Sequence, residues 1–362
     1  MKIVADQNML MIAELFGHAG EIYSLPGRQI CAADVADADV LLVRSVTRVD
    51  EALLRGSKVA FVGSATIGTE HIDLDYLQQR GITFAHAPGC NAYGVVQYVL
   101  SVLCRLQPDW AGKNIGIVGG GNVGGLLYRI LTHLNVPCAV YDPFLAPSVI
   151  PDLVDFEGVL KSDIICMHTP LTTGGEHPTH HLFNRDVLTR LPANVLLINA
   201  GRGAVIDNVA LLDHLSAGAA LRVALDVWEP EPNINRELMA LVQVATPHIA
   251  GYSYEGKVKG SQMVAEAFYL WHTGSNVTPR LPRSDRAALL GEESLNALIL
   301  ATYDVLADDR RMREAMRCDS DSVARQFDQL RKEYPERHEF SHYRTALTSV
   351  IADYASVLGF RV

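Results

Sequence analysis

No stretch of this 362-residue sequence approaches the roughly 18 to 20 consecutive apolar residues that a membrane-spanning helix needs. An excess of positive charge is also missing, since the formal net charge at pH 7 is −10. A general nucleic-acid surface requires basic patches that displace counterions from the phosphates. We therefore expect neither a membrane nor a nucleic acid among the partners of this protein.

Closely spaced cysteine pairs are absent as well, because the six cysteines are scattered and none form a Cys-x-x-Cys motif. A chain of this length, with 49% hydrophobic residues, has ample core for two or three domains without disulfides. The cysteines are thus typical of reduced, buried thiols. The first residues, Met1-Lys-Ile-Val-Ala-Asp6, are typical of a strand and lack the pattern of a signal peptide. These features predict a cytoplasmic protein.

What the sequence does contain is a glycine-rich segment between two apolar runs. Gly119, Gly121 and Gly124 have the spacing Gly-x-Gly-x-x-Gly, directly after the apolar run 115–118 and before a helical pattern that continues to Leu134. In this arrangement the first glycine allows a tight turn, and the second lets a pyrophosphate approach the backbone. The third glycine lets the helix pack on the strand, and the phosphates bind at the amino terminus of that helix.

The second apolar run ends at Asp142, 18 residues after Gly124. A carboxylate at this position can accept hydrogen bonds from the ribose hydroxyls of NAD. A glycine-rich turn without a ligand is the alternative interpretation, but strand, helix, strand and acid in this order favour a nucleotide site. We predict that NAD binds here and contacts Gly119, Gly121, Asn122, Val123, Gly124 and Asp142.

Strand and helix patterns alternate along most of the chain. Apolar strand patterns occur at 3–5, 40–43, 59–62, 164–167, 195–199, 222–226 and 242–245. Helical patterns cover 8–17, 94–106 and 255–272. A repeated strand–helix pattern predicts an α/β protein with two doubly wound parallel sheets of the Rossmann type.

Three domains follow from these patterns. We expect a substrate-binding domain at 1–95 that is completed by 253–280, and an NAD-binding domain at 96–252. The segment 281–362 differs, because helical patterns at 294–316, 322–334 and 344–358 predict a mainly helical α+β domain. Its arginines and acids are interleaved, which is typical of a solvated helical surface. We favour self-association as its role, because the first two domains already make a complete two-domain unit.

Three polar residues, Arg202, Glu231 and His248, each follow an apolar strand of the second sheet. Each alone is more typical of a surface or structural residue, but the carboxyl ends of parallel strands share the edge where the nicotinamide would lie. An arginine fork can bind the carboxylate of a 2-hydroxy acid, and a histidine can take the hydroxyl proton as hydride leaves. A carboxylate behind the histidine would fix its tautomer and stabilise its charged form.

Two polar loops of the first domain also follow strands, namely Arg44–Thr47 and Gly63–Thr69. They would lie at the ligand-binding edge of the first sheet, although turn formation and helix capping are the alternative role of their serines and threonines.

His177, His180 and His181 lie close together in the sequence, so a metal site has to be considered. Pro178 interrupts any helix, and Glu176 is the only acid nearby in the sequence. A loop with incidental histidines is favoured, and we predict no metal.

The glycine motif, the Arg202 loop, Glu231 and the segment Thr246-Pro-His248 resemble the D-isomer-specific 2-hydroxyacid dehydrogenase family, and the resemblance extends over essentially the whole chain. It implies NAD-dependent oxidation of a small phosphorylated 2-hydroxy acid, with Arg202, Glu231 and His248 as the catalytic residues. It also implies that the helical C-terminal segment mediates a homodimer. Further residues implied by the resemblance are Ser45, Thr66 and Tyr252 at the substrate, and Asp142, Thr169, Asp226 and Gly251 at NAD.

Because Arg202 is assigned to the carboxylate, the substrate phosphate needs other donors, and we expect Arg44, Ser45 and Thr66 to supply them. Alternatively, Arg44 only braces its loop, and an arginine of the C-terminal segment binds the phosphate. Two other functions also stay open: a phosphoglycerate or glyoxylate dehydrogenase of the same family, and a non-catalytic NAD-sensing regulator. The helical C-terminal pattern argues against the phosphoglycerate type, and the three catalytic residues argue against the regulator.

Overall fold

A computed structural model of the chain describes residues 1–275, 279, 281, 289–291, 294–345 and 350–361. The chain divides into two compact units. The first comprises Met1–Asn91 together with the helix Tyr254–Thr273, and the second comprises Ala92–Tyr252 together with the C-terminal elements. Within these described ranges, no helix is both long and apolar enough to cross a membrane.

The first unit is built around a five-stranded parallel sheet. Its strands are β1 (Lys2–Asp6), β2 (Glu21–Leu25), β3 (Val40–Val43), β4 (Phe61–Ser64) and β5 (Thr83–His86). They are hydrogen-bonded in the order β2-β1-β3-β4-β5. β2 lies on one side of β1, and the later strands β3, β4 and β5 lie on its other side. The strand order therefore reverses at β1, and this switch point lies at the carboxyl end of β1. The helices of this unit are α1 (Ile12–Phe16), α2 (Ala32–Val35), α3 (Glu51–Leu54), α4 (Leu74–Gln79) and α11 (Tyr254–Thr273).

The second unit contains a six-stranded parallel sheet. Its strands are β6 (Ile115–Val118), β7 (Cys138–Tyr141), β8 (Ile164–Met167), β9 (Leu196–Asn199), β10 (Arg222–Leu225) and β11 (Val244–Ala245). The order is β11-β10-β9-β8-β6-β7, so the switch point lies between β6 and β8. The helices around this sheet are α5 (Ala92–Leu106), α6 (Asn122–His133), α7 (Phe156–Val159), α8 (Arg185–Arg190), α9 (Asn208–Ser216) and α10 (Arg236–Leu241).

The C-terminal segment adds its own elements to the second unit and shares its core. These elements are β12 (Leu289–Leu290), α12 (Leu295–Thr302), α13 (Val305–Ala315), α14 (Val323–Lys332), β13 (Arg344–Thr345) and α15 (Val350–Leu358). Leu298 and Ile299 of α12 are fully buried in one hydrophobic cluster with residues of α5 and α6. Met312 of α13 and Phe327 of α14 are fully buried in a second hydrophobic cluster, which also contains residues of β8 and β10. The C-terminal helices are therefore part of the packed core of this unit.

The prediction of an α/β fold with doubly wound parallel sheets is confirmed. The apolar patterns miss two strands, β2 and β5, and there is a physical reason. Both lie at the edges of the first sheet, and none of their residues is fully buried, so their sequences lack a continuous apolar run. The helix expected over 8–17 is also shorter and covers only Ile12–Phe16.

Two predicted helices of the C-terminal segment need correction. The single helix predicted over 294–316 is in fact two helices, α12 and α13. Tyr303 is extended and ends the first helix. Asp304 caps the second helix, because its side chain accepts a hydrogen bond from the backbone N–H of Leu306. The helix predicted over 344–358 is wrong at its start, because Arg344 and Thr345 form the strand β13, which pairs in parallel with β12. Residues 346–349 lie outside the described residues, and a helix follows from residue 350. The helix expected at 322–334 is confirmed as α14.

The core of the first unit generates a stability prediction. Phe268 of α11 has no exposed surface, and its ring centroid lies 5.3 Å from that of Phe16 and 5.5 Å from that of Phe61. We expect Phe268→Ala to lower the free energy of unfolding by about 3 to 5 kcal/mol, measured by urea denaturation. Leu270 of the same helix is 50% exposed, and Leu270→Ala should change this free energy by less than about 0.5 kcal/mol. Equal losses in the two variants would contradict this account of the core.

Candidate active site

The glycine-rich loop follows β6 at the carboxyl edge of the second sheet. Gly119 has a φ of +94°, and a Cβ there would lie 3.0 Å from the backbone nitrogen of Thr169. A Cβ on Gly124 would lie 1.9 Å from the carbonyl oxygen of Gly119, so the first turn of α6 packs directly on the loop. A Cβ on Gly121 would meet no described atom within 4 Å. Packing thus explains the two outer glycines, whereas the middle one borders open space.

The amino terminus of α6 is open to an anion. Gly121 precedes the helix, and among the described residues no side chain caps its first amides. Asp142 follows β7, and its Oδ2 accepts a hydrogen bond from the N–H of Gly120 at 2.9 Å, while Oδ1 accepts from the N–H of Phe144 at 3.0 Å. These bonds hold the carboxylate next to the glycine-rich loop, at the position expected for a ribose contact.

Two polar residues follow β8, the strand next to β6. The Oγ1 of Thr169 and both ring nitrogens of His168 are buried and have no hydrogen-bond partner in the described part of the chain. Burial lowers the pKa of His168 to about 4, so its ring is neutral at physiological pH. A buried polar group without a partner costs about 1 to 3 kcal/mol, which a bound ligand can recover. This unpaired hydroxyl, the space at Gly121 and the Asp142 carboxylate fit a dinucleotide such as NAD.

His248 and Glu231 form a close pair. The Nδ1 of His248 lies 2.7 Å from the Oε2 of Glu231, and Oε1 accepts a hydrogen bond from the backbone N–H of Trp228 at 2.9 Å. A carboxylate accepts, so Nδ1 donates, and this assignment leaves the lone pair of the neutral ring on Nε2. The pair has the chemistry of a general base whose tautomer is set by a carboxylate.

The charge state of Glu231 suits this role. Burial raises the pKa of Glu231, but the charge and hydrogen bond of His248, the N–H of Trp228 and the charge of Arg331 outweigh burial. The pKa of Glu231 is therefore lowered overall, and the side chain is a carboxylate in the neutral pH range. It can stabilise a positive charge that forms on the imidazole.

Asp226 lies beneath the loop that carries His248. Its carboxylate accepts hydrogen bonds from the Oγ1 of Thr246 at 2.7 Å and from the N–H groups of Ile249 and Ala250 at 2.8 Å each. The resemblance implied a contact of Asp226 with NAD, whereas these bonds give it a positioning role for the loop. Gly251 and Tyr252, which complete the loop, are both half-buried. A direct contact of Asp226 or Gly251 with NAD stays a prediction.

Arg202 follows β9 and is half-buried, and its Nη1 donates a hydrogen bond to the carbonyl oxygen of Gly201 at 3.0 Å. A Cβ on Gly203 would lie 1.9 Å from the carbonyl oxygen of Trp228, so the Arg202 loop lies directly against the loop that leads to Glu231. Strands β9, β10 and β11 are neighbours in the sheet. The structure thus places all three predicted catalytic residues in loops at one edge of the second sheet. Their catalytic roles stay predictions.

Buried polar residues of the C-terminal segment escape the sequence analysis. The expectation of a solvated surface is wrong for Arg337, which is 6% exposed and donates from Nη2 to the carbonyl oxygens of Ala250 and Gly94. It is wrong for Asp309 as well, which is buried and accepts from the N–H of Ala245 at 2.8 Å. Their alternation with other charged residues resembles a surface pattern, so the sequence carries no signal of this burial.

The histidine cluster has an acidic partner that the local sequence did not reveal. The Nε2 of His181 lies 2.9 Å from Oε2 of Glu229, and the Nε2 of His180 lies 3.8 Å from Oε1 of the same carboxylate. Glu229 is distant in the sequence but comes from the loop that also carries Glu231. The absence of a metal stays a prediction.

In the first unit, the predicted substrate residues follow the carboxyl ends of β3 and β4. Arg44 is half-buried and Ser45 is exposed. The Oγ1 of Thr66 lies 2.7 Å from the Oγ of Ser64, which in turn lies 2.9 Å from the Nε2 of His71. Burial lowers the pKa of His71 despite the opposing charge of nearby Glu70. Ser64 belongs to the predicted polar segment Gly63–Thr69, whereas no local sequence pattern indicated His71.

Comparisons with known proteins agree with this geometry. A family model described as D-isomer specific 2-hydroxyacid dehydrogenase, NAD binding domain, matches residues 103–250. A model of a domain of unknown function (DUF3410) matches residues 278–358. A solved structure of cofactor (NAD+) bound 3-phosphoglycerate dehydrogenase in Entamoeba histolytica has a TM-score of 0.65 and 24% identity. The match covers 76% of this chain and 97% of the solved chain, and at this identity it shows the fold alone.

Two curated relatives are similar over the whole chain. One is an erythronate-4-phosphate dehydrogenase of Cellvibrio japonicus, 48% identical over 100% of both proteins. The other, from Teredinibacter turnerae, has the same name and is 48% identical over 99% of this chain and 98% of its own. The family expected from the sequence motifs is thereby confirmed. This chain belongs to the erythronate-4-phosphate dehydrogenase family, within the D-isomer-specific 2-hydroxyacid dehydrogenases.

Proposed function

We propose that the protein uses NAD to oxidise 4-phospho-D-erythronate to (3R)-3-hydroxy-2-oxo-4-phosphooxybutanoate, a step in the biosynthesis of pyridoxal 5′-phosphate. The observation that carries this proposal is the His248–Glu231 pair, with a separation of 2.7 Å, on the sheet that also holds the glycine-rich loop. The substrate follows from the shared name of the full-length relatives.

In this reaction, the alcohol carbon of the substrate loses a hydride and its hydroxyl loses a proton. NAD supplies the acceptor for the hydride when it is bound. The Nε2 of His248 takes the proton, because Nδ1 already donates to Glu231. The ionised Glu231 stabilises the imidazolium that results. Arg202 binds the substrate carboxylate through its planar guanidinium and so orients the hydroxyl towards His248.

We propose that the first unit contributes to substrate binding through Arg44, Ser45 and Thr66, and that Tyr252 of the second unit also contacts the substrate. The uncapped amino terminus of α6 and the unpaired hydroxyl of Thr169 support the assignment of NAD to the second unit. The proposed NAD contacts are Gly119, Gly121, Asn122, Val123, Gly124, Asp142, Thr169, Asp226 and Gly251.

We further propose a cytoplasmic homodimer that associates through the segment 281–362. The resemblance implies this role, and a cytoplasmic location fits the scattered cysteines. Because the described helices of this segment also complete the core of the second unit, deleting the segment would expose apolar residues such as Phe327. The assembly is therefore best measured on the full chain.

A substrate panel tests the proposed reaction. Purified protein with NAD is given 4-phosphoerythronate, 3-phosphoglycerate or glycerate, and absorbance of the reduced nicotinamide is followed. Parallel assays contain a 2-oxo acid that reoxidises the cofactor, and in these assays the oxidised product of each acid is measured instead. We expect kcat/KM to be at least about tenfold higher for 4-phosphoerythronate than for either competitor. A preference for 3-phosphoglycerate or glycerate would favour another dehydrogenase of the family. No turnover of any acid would favour a non-catalytic protein.

His248→Ala tests the mechanism. Loss of a positioned proton acceptor should lower kcat by roughly 10² to 10⁴-fold, while NAD binding, measured by calorimetry, stays nearly unchanged. His133 is exposed at the carboxyl end of α6, and His133→Ala should keep wild-type turnover. Near-normal turnover of His248→Ala would rule out its role as the base.

Sedimentation equilibrium of the full chain tests the assembly. At micromolar concentrations, we expect a species of twice the chain mass, because the resemblance implies that the segment 281–362 mediates a homodimer. A species of single-chain mass over the whole concentration range would disprove the homodimer.

A further inference from the structure

Arg331 brings a positive charge from the C-terminal segment to the His248 loop. It lies in the last turn of α14, and its guanidinium carbon is 5.7 Å from the ring centroid of Tyr252. Tyr252 ends the loop that begins at His248, and the ring of Tyr334 packs against it with centroids 5.8 Å apart. The Arg331 charge is also among those that offset the effect of burial on the pKa of Glu231. Arg331 therefore lies within electrostatic reach of the catalytic pair.

The guanidinium of Arg331 has an unused donor. Its Nε is buried and has no hydrogen-bond partner among the described residues. Burial lowers the pKa of Arg331, but Tyr252, Glu231 and Asp226 more than reverse this effect, so the side chain stays charged. Arg325 of the same helix is different, because it is exposed and donates to the Oγ of Ser322. A charged, half-buried arginine with a buried donor that lacks a partner is suited to an anionic ligand.

The chemistry of the proposed substrate supplies such an anion. The acid carries a carboxylate, which Arg202 binds, and a phosphate at its other end. Phosphate oxygens match the planar donors of a guanidinium. We propose that Arg331 binds the substrate phosphate, so that the C-terminal segment completes the substrate site. This inference rests on the proposed function.

Two other roles for Arg331 lead to different outcomes. If the charge acts only through Glu231, its loss affects every 2-hydroxy acid equally and shifts the pH profile of kcat. If the side chain only packs on Tyr252, its loss lowers stability and affects substrates with and without phosphate alike. Selectivity for the phosphorylated substrate therefore separates phosphate binding from both.

The test compares Arg331→Met with the matched control Arg325→Met in the full chain. For Arg331→Met, we expect kcat/KM for 4-phosphoerythronate to fall by about ten- to a hundredfold, mainly through KM, because one charge-assisted contact is lost. The kcat/KM for erythronate, which lacks the phosphate, should change by less than about threefold. Arg325→Met should change neither value. Equal losses on the two acids would overturn the proposal.

Inorganic phosphate gives a second measurement that does not need turnover. It should raise the thermal unfolding midpoint of the wild-type protein and of Arg325→Met, but not that of Arg331→Met. The same response in all three proteins, or no response in the wild type, would also overturn the proposal. A wild-type protein that responds to phosphate but does not oxidise 4-phosphoerythronate would instead refute the proposed function. The two failures are thus distinguishable.

Discussion

The geometry of the candidate active site depends on one buried carboxylate. Asp226 is 1% exposed, and burying a charge is strongly unfavourable unless hydrogen bonds replace the lost water. Burial raises the pKa of Asp226 overall, although the charge of His248 and the bonds from Thr246, Ala250 and Ile249 favour the ionised form. Because two of those donors are backbone amides next to His248, the carboxylate determines the path of the loop. His248 itself has a φ of +57°, a conformation that its neighbours must hold in place.

The C-terminal segment holds the same loop from another direction. Arg337 donates to the carbonyl oxygen of Ala250, and the N–H of Ala250 donates to Asp226, so both backbone polar groups of this residue are hydrogen-bonded. Asp309 accepts from the N–H of Ala245 at the end of β11, immediately before the loop. A segment that is matched by a model of a domain of unknown function is thus structurally continuous with the candidate catalytic machinery. With Arg331 as a phosphate ligand, the same segment would also select the substrate.

The candidate nucleotide site and the His248–Glu231 pair follow from one property of parallel sheets. The loops at the carboxyl ends of the strands lie side by side, so residues that are distant in sequence meet at one edge. The loop of Gly119 follows β6, Thr169 follows β8, and His248 follows β11 of the same sheet. Backbone packing sets the two outer glycines of the motif, whereas open space at Gly121 and an unpaired hydroxyl at Thr169 leave room and a partner for a ligand.

The sequence by itself determined the fold class, the family and the candidate residues at the strand ends, because these depend on local patterns: short apolar runs, glycine spacing and single polar residues after strands. It did not reveal the edge strands β2 and β5, whose residues are only half-buried and lack an apolar run. Only the tertiary structure decided that Asp226 holds the His248 loop and that Arg331 and Arg337 approach that loop. A charged residue has the same local pattern on a surface as in a buried network, and its environment is set by contacts between segments far apart in the chain.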